Sequence, residues 1–197
     1  KPRTGELMWK QLLVSGDSRY GEEYLSSQLP RPVETPHGIF IQTNRKVFHM
    51  LDPISGTIQW VRSYHRSKWQ FCRDHLFVNP VVCDGDTVVA APRDSSFIYS
   101  VNVRTGDIRW STSRGRTPIV CGTVNGMAVM LGQGIRLLDM NTGDERKSVR
   151  FRSMGEFVLP VLRGSLLWIS GQNHTVLMNT RSMKDVSADP AITQNRT

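Results

Sequence analysis

Leu51-Asp52-Pro53-Ile54-Ser55-Gly56-Thr57-Ile58-Gln59-Trp60 decides the fold. An apolar run leads into Asp52, a residue that accepts backbone hydrogen bonds at a turn entry. Gly56 follows and supplies the positive φ that a tight turn needs. Apolar residues then resume and end on Trp60. The same arrangement returns in Val101-Asn102-Val103-Arg104-Thr105-Gly106-Asp107-Ile108-Arg109-Trp110. Leu138-Asp139-Met140-Asn141-Thr142-Gly143 carries its first half, and Thr4-Gly5-Glu6-Leu7-Met8-Trp9 its second. A worn copy stands at Arg181-Ser182-Met183, with Ser182 in the glycine place. A fixed echo of this kind decides architecture before any single residue is considered.

A second marker keeps the same period. Pro32-Val33, Pro80-Val81-Val82-Cys83, Pro118-Ile119-Val120-Cys121 and Pro160-Val161-Leu162-Arg163 each open an apolar run. After each comes a turn and a second run: Gly38-Ile39-Phe40-Ile41, Thr87-Val88-Val89-Ala90, Met127-Ala128-Val129-Met130 and Leu166-Leu167-Trp168-Ile169. Short apolar or alternating runs bounded by turn residues read as strands. Each unit is therefore strand, turn, strand, turn, strand, Thr-Gly turn, strand. That is a four-stranded antiparallel meander of about 40 residues, the size of a propeller blade.

With the turn and its flanks laid out, the chain resembles the pyrroloquinoline-quinone-like (quinoprotein-type) β-propellers. The family repeat is an apolar residue and Asp, two spacers, Thr-Gly, three spacers, then Trp. The resemblance implies that Trp9, Trp60 and Trp110 dock between neighbouring blades against the peptide plane of a turn, with Gly56, Gly106 and Gly143 as part of the same blade-docking set. The fourth copy departs from the pattern, with Lys147 in place of Trp. The expected fold is all-β, with about four blades forming a segment of a larger seven- or eight-bladed propeller. Residues 1–10 read as the final strand of a preceding blade and 11–30 as a connecting loop, with a helical turn near Glu22–Leu25. Residues 31–186 read as the blades and 187–197 as a tail.

The family includes quinone-dependent dehydrogenases, outer-membrane assembly scaffold lipoproteins and many extracytoplasmic proteins that carry the repeat without cofactor. The resemblance thus implies a periplasmic or otherwise extracytoplasmic setting. It does not choose an activity, because propellers host unrelated functions. A dehydrogenase would need a calcium-binding carboxylate and Asn, a catalytic Asp and a Trp floor under the quinone. Here the acids do not cluster: Asp84 and Asp86 flank a turn glycine, and Asp94 sits in a loop. The reading is of no cofactor in these blades, with a quinone site only in blades beyond them.

Other chemistry is thin. His65, Cys72, His75 and Cys83 have residue types that zinc accepts, but Cys83 and Cys121 follow the same Pro-marked start. They read as small buried fillers at one blade position. Three cysteines close no disulfide framework. Gly132-Gln133-Gly134 reads as a turn rather than a phosphate cradle, since no helix follows. Asn173-His174-Thr175 and Asn195-Arg196-Thr197 match the glycosylation acceptor pattern, which matters only in a eukaryotic secretory setting. No window approaches the ~18 apolar residues of a membrane span.

The net charge of +8 comes from 25 Lys and Arg against 17 Asp and Glu. A basic balance favours an acidic partner. The densest basic stretch lies in an insertion after Trp60, where Arg62, Arg66, Lys68, Trp69 and Arg73 form the candidate partner-binding loop. Insertions in propellers map to one face, often the binding face. The function expected is a non-catalytic scaffold or protein-interaction module. Its partners are a protein, or the remaining blades, with an anionic polymer as the alternative at the basic loop.

Overall fold

The computed structural model describes residues 6–13, 31–43, 45–65, 81–92, 94–114, 119–132, 134–151, 160–170 and 175–185. They form sixteen strands in four sheets of four. Blade 1 comprises β1 (Arg31–Thr35), β2 (Gly38–Gln42), β3 (Val47–Leu51) and β4 (Ile58–Ser63). Blade 2 comprises β5 (Val81–Asp84), β6 (Thr87–Ala90), β7 (Phe97–Asn102) and β8 (Ile108–Ser113). Blade 3 comprises β9 (Ile119–Val124), β10 (Met127–Leu131), β11 (Gly134–Asp139) and β12 (Glu145–Arg150). Blade 4 comprises β13 (Val161–Arg163), β14 (Leu166–Ser170), β15 (Thr175–Asn179) and β16 (Lys184–Asp185). Within each sheet the strands pair in chain order and antiparallel, as the meander predicts.

The blades stack face to face, and alternation along each strand decides which neighbour a side chain meets. In β6, Val88 and Ala90 join Phe40, Phe48 and Met50 of blade 1, while Val89, with Ala91 just after the strand, joins Val120, Ala128 and Met130 of blade 3. In blade 3, Val129, Leu131, Ile135 and Leu137 turn the other way, onto Leu167, Ile169 and Met178 of blade 4. The core is thus three inter-blade layers, and this explains why β6 is buried at all four positions. First strands touch in series, β1 to β5, β5 to β9 and β9 to β13, which makes them the inner strands. Among the described residues no comparable contact joins β13 to β1, so the four blades form an open arc.

Residues 6–13 belong to none of the four sheets. The strand expected at residues 1–10 reads as part of a preceding blade, and its described part pairs with none of these four sheets. Trp9 nonetheless docks on a turn, that of Gly56. Residues 14–30 of the loop expected over 11–30, and the tail over 187–197, lie outside the described residues.

Candidate functional site: turns, blade junctions and the basic loop

The repeated turn is a single hydrogen-bonded device, built four times. In blade 1 the Asp52 N–H donates to the Thr57 carbonyl and Gly56 N–H to the Asp52 carbonyl, both at 2.9 Å. The Asp52 Oδ1 accepts from Ile54 N–H at 2.9 Å and Ser55 N–H at 2.7 Å. Asn102 does the same for Arg104 and Thr105, and Asp139 for Asn141 and Thr142. Asn179 repeats it for Arg181 and Ser182, at 3.0 and 3.2 Å. The fifth residue of each turn has positive φ: Gly56 at 71°, Gly106 at 75°, Gly143 at 79° and Met183 at 57°.

That last member corrects the sequence register. Met183, rather than Ser182, stands in the glycine place, because its N–H returns to the Asn179 carbonyl at 2.7 Å. Ser182 matches Ser55, Thr105 and Thr142. Without a glycine to mark it, the turn is located by Asn179, four residues upstream.

Each turn receives a side chain from the element before it. Trp60 Nε1 donates to the Val103 carbonyl at 2.9 Å, and Trp110 Nε1 to the Met140 carbonyl at 2.9 Å. Trp9 Nε1 donates to the Pro53 carbonyl at 3.1 Å. The indole rings lie flat against the glycines. A Cβ added to Gly106 would stand 2.8 Å from the Trp60 ring, and one on Gly143 2.7 Å from Trp110. At the fourth junction Lys147 Nζ donates to the Arg181 carbonyl at 2.6 Å. The change from Trp to Lys147 coincides with the change from Gly to Met183. A side chain on the turn takes the space an indole would use.

The aspartates are engaged in these turns and junctions. Backbone N–H donors hold the Asp52 and Asp139 carboxyls below the usual carboxylate range. Asp86 is lowered chiefly by its hydrogen bond from His37, at 2.8 Å across the blade 1–blade 2 junction. Arg104 approaches the same carboxylate at 3.4 Å. On the opposite face Tyr64 Oη donates to Asp94 Oδ1 at 2.7 Å, and Ser95 Oγ to the His65 carbonyl at 2.7 Å. Burial, and then Asp94, push the Tyr64 phenol up. Among the described residues no group of three or more His, Cys, Asp or Glu could hold a metal.

Arg62 is the one member of the basic loop set among the described residues. It lies on β4, where Nε donates to the Gly106 carbonyl and Nη2 pairs with Asp107, both at 2.7 Å. It clamps the blade 2 turn. Arg66, Lys68, Trp69 and Arg73 lie outside the described residues, as do Cys72 and His75.

The two cysteines are not equivalent. Cys83 sits in regular register opposite Val88 and packs toward blade 1. Cys121 is the unpaired residue of a bulge and packs toward blade 4, where burial pushes its thiol up to about 12. The extra residue turns the side chain to the other face. Gly132 and Gly134 close the β10–β11 turn as expected, with the Gly132 N–H donating to Gly134 at 2.8 Å.

Composition gave no signal for His49 and Gln42, both fully covered in blade 1. Burial lowers the His49 pKa, and the nearby Leu13 backbone opposes that shift.

Four meanders, stacked through their faces around inner strands, decide the architecture. The fold is a β-propeller. Among solved structures the chain is similar to BamB from Moraxella catarrhalis, with a TM-score of 0.58 at 17% identity. The match covers 78% of this chain and 50% of that one, so the chain spans half the length of that protein. No family model and no curated protein sequence matches. Among the described residues no helix is long and apolar enough to cross a membrane.

Proposed function

We propose that these blades serve as a non-catalytic scaffold that holds a protein partner, in an extracytoplasmic setting. The observation that carries this reading is where the reactive side chains are spent. Asp52 and Asp139 cap turns, Asp86 and Asp107 bridge blades, and Trp60 and Trp110 fill junctions. A quinone site of the family type would need such aspartates and an indole free to face a ligand. The similarity to BamB supports the propeller and leaves the partner open.

The partner-binding face of this reading is the one carrying the loop after β4. Arg66, Lys68, Trp69 and Arg73 supply cations beside an aromatic, which suits an acidic protein surface. Arg62 is assigned to the blade junction instead. The test is capture of interacting proteins from the organism's extracytoplasmic fraction on the immobilised chain, repeated with R66E/K68E. Saturable capture lost in that variant but kept in R62A supports the reading. Saturable quinone binding with dye reduction would overturn it. Binding to an anionic polymer that weakens steeply with salt would replace the protein partner with a nucleic-acid-like one.

A further inference from the structure

His49 sits in the middle of β3, only 3% exposed, and its Nδ1 is buried with no hydrogen-bond partner among the described residues. Phe48 and Met50 on either side of it face blade 2. Alternation therefore turns His49 the other way, in a cross-strand row with Ile41 and Val61. Residues 6–13 lie on that side. Trp60 reaches Gly106 from blade 1, and Trp9 reaches Gly56 by the same contact, from the side of blade 1 away from blade 2. Four residues on, the Leu13 backbone comes near enough to His49 to affect its charge. One short segment thus spans both the Gly56 turn and the buried histidine.

The two protonation states fit this place unequally. A neutral imidazole can leave Nδ1 bare. A protonated one must put an N–H there, with nothing to accept it and its charge held away from solvent. On this face of blade 1, β2 supplies Ile39 and Ile41, β3 supplies Val47 and Leu51, and β4 supplies Ile58 and Val61, none of which titrates. Residues 6–13 bring Glu6 and Lys10. Among the described residues only the Leu13 backbone opposes the effect of burial on His49, and no carboxylate does.

We propose that His49 makes the seat of residues 6–13 on blade 1 acid-sensitive. When its ring takes up a proton it must reach water, and it does so by lifting the segment, Trp9 included, while the four blades stay assembled. Release bares the Gly56 turn and the row beside Ile41, a face that a neutral medium keeps covered. The sign follows from the lowered folded value. The seat is fully stable above the ordinary histidine value of 6.5 and weakens as pH falls below it. The closed-to-open ratio should drop by up to about tenfold per pH unit there. Asp52, which caps the turn under Trp9, is held below the usual carboxylate range and stays ionised through that window. His37 is bonded to Asp86 at the blade 1–blade 2 junction, so a variant at His49 separates the two histidines. The device does not depend on what the scaffold binds.

Proton magnetic resonance on the full chain, from about pH 7.5 to about pH 4.5, follows both ends of this coupling. Contacts between the Trp9 indole and Gly56 should fade along the same curve as the His49 ring protons titrate, with a midpoint below about 6.5. Trp60 on Gly106 and Trp110 on Gly143 should keep their contacts throughout, and circular dichroism should not change. H49L cannot titrate and should hold Trp9 docked over the whole range. Where H49L fails to fold, the His49 and Trp9 curves of the parent decide. A Trp9 that stays docked while His49 titrates overturns the proposal, and so does a Trp9 that comes away while His49 stays neutral. Neither group changing over the range overturns it too, as does a Trp9 curve that persists in H49L. Loss of all three tryptophan contacts together also contradicts it, since that is unfolding of the blades rather than release of the segment.

Discussion

Replacing Gly106 by Ala isolates the junction from the turn. Gly106 has φ 75° and the Trp60 ring lies against it. Gly126 has φ 71° and nothing lies near its added Cβ. Both substitutions carry the strain of an L-residue in the left-handed region, about 1–2 kcal/mol. Only G106A adds overpacking, about 1–3 kcal/mol, because 2.8 Å to a ring carbon forces the indole to move. G126A should therefore cost about 1–2 kcal/mol, and G106A about 2–5 kcal/mol. Urea unfolding followed by far-ultraviolet circular dichroism measures both. In a W60A background the excess should vanish, leaving G106A near the cost of G126A. Equal costs for G106A and G126A in the parent protein would refute the docking reasoning.

Three further outcomes follow from the junctions and turns. K147W and M183G should each destabilise alone, since an indole meets the Met183 side chain and a bare turn loses its packing. Together they recreate the Trp-on-Gly junction and should couple favourably by about 0.5–3 kcal/mol in a double-mutant cycle. Asp139 has a lowered folded pKa, so its contribution is full above the unfolded value of about 3.9 and is lost as pH falls through the folded one. D139N keeps the acceptor, as Asn102 and Asn179 do naturally, and should flatten the acid limb of a stability–pH curve. Y64F removes the donor to Asp94 at the blade 1–blade 2 junction and should cost about 1–3 kcal/mol by thermal or urea unfolding. The raised Tyr64 pKa adds a sign: its stabilisation holds below about pH 10 and is lost as pH rises further.

The blades were legible because two local rules operate without reference to tertiary structure. Period-two apolar runs mark strands, and Asp or Asn followed four residues later by Gly marks the turn. Both hold for blades 1 to 3, and in blades 1 and 2 Trp follows the Gly at a fixed distance. The same rules fail where the marker residue is replaced. At Met183 the turn survives on backbone and Asn179 bonding alone, so a search for glycine lands one residue early, on Ser182. Lys147 was visible as a departure, but its bond to the Arg181 carbonyl depends on where that turn sits.

The candidate site was less legible, because its chemistry is decided across blades. Arg62 looks like part of a basic loop in sequence and is a clamp in space. Its partners Gly106 and Asp107 lie in the next blade, and no local pattern links them. Cys121 shares the Pro-marked start of Cys83, yet one bulged residue sends it to the opposite interface. His49 alternates into an apolar row as an ordinary strand residue would. Its burial, which lowers its pKa, is decided by packing that no local pattern shows.

The central claim is that the repeated tryptophans and glycines join blades rather than serve a ligand. Nuclear Overhauser contacts between indole protons and glycine Hα protons test it most directly. The account predicts contacts for Trp60 with Gly106, Trp110 with Gly143 and Trp9 with Gly56, with the glycine Hα resonances shifted upfield by the rings. Absence of these contacts in the folded protein, with the glycine resonances at ordinary positions, would contradict it.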